Sequence, residues 1–271
     1  MKIYHYTSIE NLALILKHKT IRFNRLDMME DPCEKTFLVN QLDWSPYTYV
    51  SCWTENPIEN VPQWNFYTGG KGVRIGIDKD FIDWEKQSIA FSAPARPRHH
   101  KSLSKDSSGT LSITLNPIRI YRPLSTDICY NKVMYFSDEE YSEFEKNIGR
   151  VKTYLEIDEE LMRKYIGVIR KDKWSFQDES RFVIYAVPYT STDAVVSHNE
   201  FINLIRMVMP NKVTFIDVPI KPEKLKNIEV TLGPKMDEGQ IILTKALLNK
   251  YVPDAKLNVS SISDSPIQYI V

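Results

Sequence analysis

The pattern of apolar and polar positions predicts a strand followed by a helix at the start of the chain. Residues 2–6 are rich in β-branched and aromatic side chains, which favour a strand. The residues that follow repeat apolar side chains at the spacing of one helical face, namely Ile9, Leu12, Ala13 and Leu16. Thr7 and Glu10 have the spacing of a capping box, so we expect the helix to begin beside Thr7.

The rest of the chain mixes short predicted strands with fewer helices. Strands are predicted at 20–24, 47–53, 73–77, 118–122, 130–135, 181–187, 228–232 and 268–271. Helices are predicted at 62–67, 80–86, 138–170 and 238–248, the third as one helix or two. Residues 93–112 are polar and weakly patterned, which predicts a mobile loop. No repeat or domain boundary is visible, so we expect one α+β domain over 1–271.

Composition and charge narrow the class of protein. Of the 271 residues, 42% are hydrophobic, which is enough for a core and argues against wholesale disorder. The 35 Lys and Arg residues balance 35 Asp and Glu residues. Because proteins that hold duplex DNA by bulk electrostatics need a basic excess, that class is disfavoured. A nucleic-acid substrate held by a local basic patch stays open.

The chain shows no sign of a membrane span or a disulfide framework. It has no run of about 18 apolar residues, and its first residues lack the apolar stretch of a signal peptide. Cys33, Cys52 and Cys129 are an odd number and form no CxxC pair. This argues against a disulfide scaffold and a thiolate zinc site, so we expect a cytoplasmic protein.

Two segments carry the strongest candidate chemistry. His5 ends the first predicted strand between two tyrosines, where it is either a structural strand histidine or a hydrogen-bonding group for a ligand. The run 177–181 leads into an apolar strand, and period-two alternation places Gln177, Glu179 and Arg181 on one face. A carboxylate at the mouth of a buried strand needs a partner or a function, so Glu179 forms an edge ion pair or acts in a site.

Other features are weaker and keep a structural alternative. Trp64, Phe66 and Tyr67 precede the glycine-rich stretch 69–72, which suits either a planar phosphate-bearing ligand or a packed loop. Ser51 lies within an apolar strand, where it packs or supports a site carboxylate.

Two charged segments suggest other ligands. One is acidic and suits Mg²⁺ or a solvated turn, and it contains Asp27, Glu30, Asp31 and Glu34. The other is basic and suits nucleic-acid phosphates or a soluble surface loop, and it contains Arg96, Arg98, His99, His100, Lys101 and Lys105.

Taken in order, the motifs resemble a bacterial family that was long catalogued only as a domain of unknown function and is frequent near phage-defence loci. They are Tyr4-His5-Tyr6-Thr7-Ser8, Arg22-Phe23 with Asp31-Pro32-Cys33-Glu34, Ser51 to Asn56, Trp64 and Tyr67 with Gly72 to Asp78, and Trp174 with Glu179 and Arg181. That family in turn resembles histidine-type ADP-ribosyltransferases. The resemblance implies their fold, with split mixed sheets flanked by helices.

The resemblance also implies roles for individual residues. Glu179 would stabilise the charge that develops on the NAD ribose, and Gln177 would orient the acceptor. His5 would bind a ribose and Tyr67 would stack on nicotinamide, although Tyr47 and Tyr49 compete for the second role. The implied NAD-binding residues are His5, Tyr6, Thr7, Ser51, Tyr67 and Gly72, with Arg96, Arg98 and Lys101 as nucleic-acid contacts.

The function implied is an NAD-dependent ADP-ribosyltransferase without a metal. Its acceptor would be RNA, single-stranded DNA or a protein, and its context would be that of a toxin or defence effector, with an antitoxin as a possible partner. A binding or sensor module that kept the fold and lost the chemistry is one alternative. A metal nuclease built on the acidic segment 27–34 is the other.

Overall fold

The computed structural model describes residues 1–39, 42–83, 102–105, 111–114, 118–121, 130–148, 164–188, 203, 205–207 and 213–263. The strands, in chain order, are β1 (Lys2–Thr7), β2 (Thr20–Arg25), β3 (Leu38–Val39), β4 (Leu42–Asp43), β5 (Thr48–Trp53), β6 (Val73–Asp78), β7 (Ser102–Lys105), β8 (Leu111–Thr114), β9 (Ile118–Tyr121), β10 (Tyr130–Lys132), β11 (Met134–Phe136), β12 (Ile169–Lys171), β13 (Ser180–Pro188), β14 (Phe215–Pro219), β15 (Glu229–Leu232) and β16 (Lys256–Val259). The helices are α1 (Ile9–His18), α2 (Val61–Thr68), α3 (Asp138–Ile148), α4 (Pro222–Lys226) and α5 (Glu238–Tyr251). The predicted α+β class is confirmed.

Two larger sheets form the centre of the fold. The first has the order β1-β6-β15-β16, and the second has the order β10-β13-β5-β2-β14, with β9 also paired to β13. The sheets approach each other where Tyr4 and Thr54 form an isolated antiparallel bridge, with N···O distances of 2.8 and 2.9 Å. This bridge holds the middle of β1 against the residue that follows β5.

Alternation along β5 and β13 separates two hydrophobic clusters. Tyr49 and Trp53 face a cluster shared with the first sheet and with α1, whereas Val50 faces a second cluster on the other side. On β13, Phe182 belongs to the first cluster and Val183 to the second. The second sheet is therefore buried on both faces, which explains why β13 is almost continuously apolar.

The start of α1 differs from the prediction. Ser8, not Thr7, is the N-cap, and its side chain accepts a hydrogen bond from the Asn11 backbone N–H at 3.2 Å. Thr7 instead completes β1 and pairs with Val73 of β6. Because Thr7 is paired within the sheet, the next residue, Ser8, supplies the side-chain oxygen that caps the helix.

Two predicted helices are also wrong in part. The described residues of 80–86 are not helical, because Ile82 bridges to Ile220 and the Asp83 N–H donates to the Pro219 carbonyl. Within the predicted helix over 138–170, the described residues 138–148 form α3, whereas Ile169 and Arg170 belong to β12, which pairs in parallel with β11. Pairing with a neighbouring strand outweighs helical periodicity at both places.

The segment 93–112 contains strand structure that the prediction of a loop did not include. Ser102–Lys105 pairs antiparallel with Leu111–Thr114, in keeping with the alternation of polar and apolar residues in both stretches. The rest of that segment, and the predicted final strand 268–271, lie outside the described residues. None of the helices in the described ranges is long and apolar enough to cross a membrane.

Candidate functional site

Glu179 lies just before β13 and is held by two arginines. Arg181 donates from Nε to Glu179 Oε1 at 2.9 Å and from Nη2 to Oε2 at 3.1 Å. Arg170 of β12 donates from Nη1 to Oε2 at 2.8 Å. The Glu179 side chain is only 3% exposed. The carboxylate is thus fixed in position by three charge-assisted hydrogen bonds.

The two arginines are surrounded by further acidic side chains. Glu34, from the 3₁₀ turn Pro32–Glu34, accepts a hydrogen bond from Arg181 Nη1. Arg170 Nε lies 3.7 Å from one carboxylate oxygen each of Asp31 and Glu34. We call Asp31, Glu34, Arg170, Glu179 and Arg181 the buried ionic cluster. It contains three carboxyl groups and two guanidinium groups.

Burial and ion pairing act in opposite directions on the carboxyl groups of this cluster. Burial disfavours the charged form of Glu179, but the attraction of Arg181 and Arg170 outweighs it and lowers the pKa of this carboxyl. For Glu34 burial prevails over the same two arginines, so its pKa is raised. The surroundings therefore favour the ionised form of Glu179 more strongly than that of Glu34.

The acidic segment does not form the predicted metal site or a solvated turn. Asp31 and Glu34 are 0% and 2% exposed and face the arginines. Asp27 pairs with Arg25 at 2.6 Å, and Glu30 is exposed. Within the ranges that the structure describes, no group of three or more His, Cys, Asp or Glu side chains is arranged to hold a metal ion. Long-range pairing with β12 and β13 explains the burial.

Gln177 and α2 close one side of the cluster. The Gln177 side chain is buried, and its Oε1 accepts a hydrogen bond from Arg170 Nη1. The Gln177 carbonyl accepts from Gln63 Nε2, and Asn60 Nδ2 donates to the Phe176 carbonyl at 2.8 Å. These contacts fasten α2 to the 3₁₀ segment Asp172–Gln177. The Gln177 side chain points into the buried ionic cluster.

Tyr67 lies in α2, one helical turn after Gln63, and contributes an aromatic ring near the buried ionic cluster. The residue as a whole is 40% exposed. Burial of its hydroxyl and, to a smaller extent, the charge of Glu179 raise the pKa of that hydroxyl. The hydroxyl therefore lies within electrostatic range of the buried ionic cluster. Tyr47 and Tyr49, the competing candidates, are 5% and 0% exposed and belong to the core.

Further rings extend the exposed surface beside Tyr67. The Phe66 ring centroid lies 5.2 Å from that of Tyr67, 5.7 Å from that of Trp174 and 6.1 Å from that of Phe176. We call Phe66, Tyr67, Trp174 and Phe176 the aromatic surface. Phe66 is itself 43% exposed, and contiguous exposed apolar groups of this kind often mark binding sites.

His5 contacts the same end of β5. Its Nδ1 is 2.8 Å from the Cys52 carbonyl oxygen, and its ring centroid is 5.1 Å from that of Trp53. Burial lowers the pKa of the imidazole. The Cys52 side chain hydrogen-bonds Glu179. The structure thus brings Tyr67, Gln177 and Glu179 together, whereas the described contacts of the His5 ring are with Cys52 and Trp53.

The remaining predicted NAD contacts are occupied within the fold. The Tyr6 hydroxyl accepts from the Asn60 N–H at 3.0 Å, and Ser51 Oγ accepts from Trp53 Nε1 at 3.0 Å. Thr7 is buried, and a Cβ added to Gly72 would lie 2.3 Å from the Thr7 carbonyl oxygen. Gly72 is therefore small because it packs on β1. Arg96, Arg98 and Lys101 lie outside the described residues.

No family model, curated protein or solved structure matches the chain. The resemblance to ADP-ribosyltransferases therefore rests on the sequence motifs alone, and a function for this chain has to be inferred from the geometry of this site.

Sequence reasoning missed three participants of the site. Arg170 was assigned to a helix by its apolar neighbours, and Cys52 carried no signal beyond its place in a strand. Glu34 was noticed only as part of an acidic segment. The motif Asp31-Pro32-Cys33-Glu34 does contain a usable signal, because Asp31 caps the 3₁₀ turn by accepting from the Cys33 N–H at 3.0 Å. That cap aims Glu34 at β13.

Proposed function

We propose that the chain is an NAD-dependent ADP-ribosyltransferase whose nicotinamide site lies between Tyr67 and Glu179. The supporting observation is a buried carboxylate held by three charge-assisted hydrogen bonds, near a tyrosine that is 40% exposed. In this proposal the two packed sheets correspond to the split sheets of that fold class. His5 has a structural role instead of a ligand-binding one.

The chemistry requires a fixed negative charge. Cleavage of the bond between nicotinamide and ribose C1′ releases nicotinamide and builds positive charge on the ribose, as in glycoside cleavage. The acceptor then bonds to C1′ and loses its proton to solvent. A preorganised carboxylate beside that ribose stabilises the developing charge more than it stabilises bound NAD, which is the condition for catalysis. Glu179 has that character.

The surroundings of Glu179 suit a positively charged planar ring. The nicotinamide of NAD⁺ is a pyridinium, and aromatic faces attract such cations. Tyr67 offers such a ring face, since the residue is 40% exposed. This face favours the oxidised cofactor over a neutral ring.

One observation favours the second candidate, a binding module without chemistry. Glu179 already accepts three guanidinium hydrogen bonds and one from the Cys52 thiol. A carboxylate has about four acceptor positions, so a ribose hydroxyl must displace a donor to reach it. The thiol is the weakest of these donors and is the one that we expect to give way. If none gives way, the site binds NAD without cleaving it.

The acceptor is proposed from the sequence alone. Arg96, Arg98 and Lys101 suit RNA or single-stranded DNA, and a protein acceptor remains the alternative. The role of a toxin or defence effector, and an antitoxin partner, rest on the same basis. A metal nuclease is disfavoured, because Asp31 and Glu34 form ion pairs with Arg170 and Arg181.

The proposal is tested by incubating the protein with NAD alone, with RNA, with single-stranded DNA and with cell lysate, in the presence of EDTA. We expect nicotinamide release in at least one mixture and a mass increase of one ADP-ribose on the acceptor. Calorimetric binding of NAD without release in any mixture would support the binding module instead. Absence of both binding and release would contradict the two proposals.

A further inference from the structure

Arg170 is a buried arginine with unused hydrogen-bond donors. It is 2% exposed, and its Nη1 alone serves Glu179 and Gln177. Its Nε has no hydrogen-bond partner, since the carboxylate oxygens of Asp31 and Glu34 lie 3.7 Å away. Its Nη2 donates to none of the residues that the structure describes. Buried guanidinium groups normally use most of their five N–H groups, so Arg170 is incomplete.

The incomplete arginine borders the aromatic surface. Its guanidinium carbon lies 4.5 Å from the centroid of the Trp174 ring, which stacks on it and fixes its plane. Trp174 Nε1 is buried and also lacks a hydrogen-bond partner among the described residues. Two kinds of unused donor therefore lie at the edge of the aromatic surface, in which Phe66 and Tyr67 are exposed and Trp174 and Phe176 are half-buried.

In Arg181 of the same cluster, by contrast, every guanidinium nitrogen donates a hydrogen bond. Its Nε and Nη2 bond Glu179, and its Nη1 bonds Glu34 and the Gly167 carbonyl oxygen, the latter at 2.9 Å. It is 0% exposed. The two arginines share a carboxylate partner and differ in that Arg170 alone keeps donors free beside the aromatic surface.

We propose that Arg170, stacked on Trp174, binds a phosphate oxygen of a nucleotide ligand. Arginine is suited to this because its planar fork matches phosphate oxygens, and the free donors of Arg170 and Trp174 complete their hydrogen bonding in doing so. The identity of the ligand as NAD rests on the proposed function. There the phosphate belongs to the same nucleotide half as the nicotinamide, with its ribose at Glu179.

The test is calorimetric titration with ADP-ribose, inorganic pyrophosphate and phosphate-free nicotinamide riboside. The variant is Arg170→Lys, which keeps the charge and loses the fork. Arg22→Lys is the matched control, because Arg22 also pairs with a carboxylate, Asp217, and stacks on a ring, Phe215, on a strand at the far side of the second sheet. Trp174→Leu removes the stacking partner and serves as a second variant should Arg170→Lys lower folding yield.

We expect Arg170→Lys to weaken ADP-ribose binding by about tenfold or more, because a bidentate charge-assisted contact is lost. Pyrophosphate binding weakens in parallel, nicotinamide riboside binding weakens less than ADP-ribose binding because that ligand has no phosphate, and Arg22→Lys behaves like the parent protein. Trp174→Leu weakens ADP-ribose binding as well. Unchanged ADP-ribose affinity in both Arg170→Lys and Trp174→Leu, or no affinity of the parent protein for any phosphate ligand, overturns the inference.

Different results would reject the phosphate site at Arg170 and the transferase activity. ADP-ribose binding that depends on Arg170, in a protein that never releases nicotinamide, supports the phosphate site and rejects the transferase. Nicotinamide release with an unchanged KM for NAD in Arg170→Lys supports the transferase and rejects the phosphate site.

Discussion

Glu34 and Arg181, 147 residues apart in the sequence, form a hydrogen-bonded ion pair in which neither side chain is more than 3% exposed. The pair joins a turn near the start of the chain to β13, the strand that follows Glu179. A buried ion pair of this kind is costly to break from one side, because the remaining charge is left without a partner.

Loss of Glu34 should therefore destabilise the fold. We expect Glu34→Ala to lower the free energy of unfolding by about 3–5 kcal/mol, since Arg181 would be left buried and under-compensated. Glu30→Ala, at an exposed carboxylate four residues earlier, should change it by less than about 0.5 kcal/mol. Denaturant titration measures both. Equal stability of the two variants would mean that the ion pair contributes nothing to the fold.

Protonation of Glu179 in acid should lower the free energy of unfolding. Its pKa is lowered in the folded state, so its stabilising contribution is complete above the unfolded value of about 4.3 and is lost as the pH falls below it. We expect the free energy of unfolding to drop through this range in the parent protein, and to drop less steeply in Glu179→Gln. An acid limb of identical slope in both proteins would show that Glu179 does not titrate as the ion pairs require.

Much of the fold follows from local pattern, whereas the site does not. Alternation and composition locate β1, β2, β5, β6 and β13 to within one or two residues. The burial of Glu34 depends on Arg181, which no local pattern connects to it. Arg170 falls within a predicted helix because Tyr165 and Ile169 continue a helical spacing, although the parallel pairing of Ile169 and Arg170 with β11 decides their conformation. Long-range contacts therefore determine the candidate site.

Tyr67 provides a test of ligand stacking that is nearly free of folding effects. Its ring is substantially exposed, so we expect Tyr67→Ala to change the melting temperature little. The KM for NAD should rise by about tenfold through loss of ring stacking, whereas Tyr67→Phe should stay within about threefold of the parent. Steady-state kinetics of nicotinamide release measure both variants. A larger effect for Tyr67→Phe than for Tyr67→Ala would contradict stacking.

His5 should behave in the opposite way. The described contacts of its ring are the hydrogen bond to the Cys52 carbonyl and the packing on Trp53, both within the fold. We expect His5→Ala to lower the free energy of unfolding by about 1–2 kcal/mol, from the lost bond and ring packing, with the KM for NAD unchanged. The same denaturant and kinetic assays apply. A raised KM at unchanged stability would place His5 in the ligand site, as the resemblance to histidine-type transferases implied.

The catalytic role of Glu179 is tested by the rate of nicotinamide release from saturating NAD. The proteins are the parent, Glu179→Gln and the exposed-carboxylate control Glu30→Gln, each confirmed as folded by its melting curve. We expect Glu179→Gln to lose about 100-fold or more in rate and Glu30→Gln to keep the parent rate, because only Glu179 stabilises the charge on the ribose. Release at the parent rate by folded Glu179→Gln would exclude Glu179 as the catalytic carboxylate.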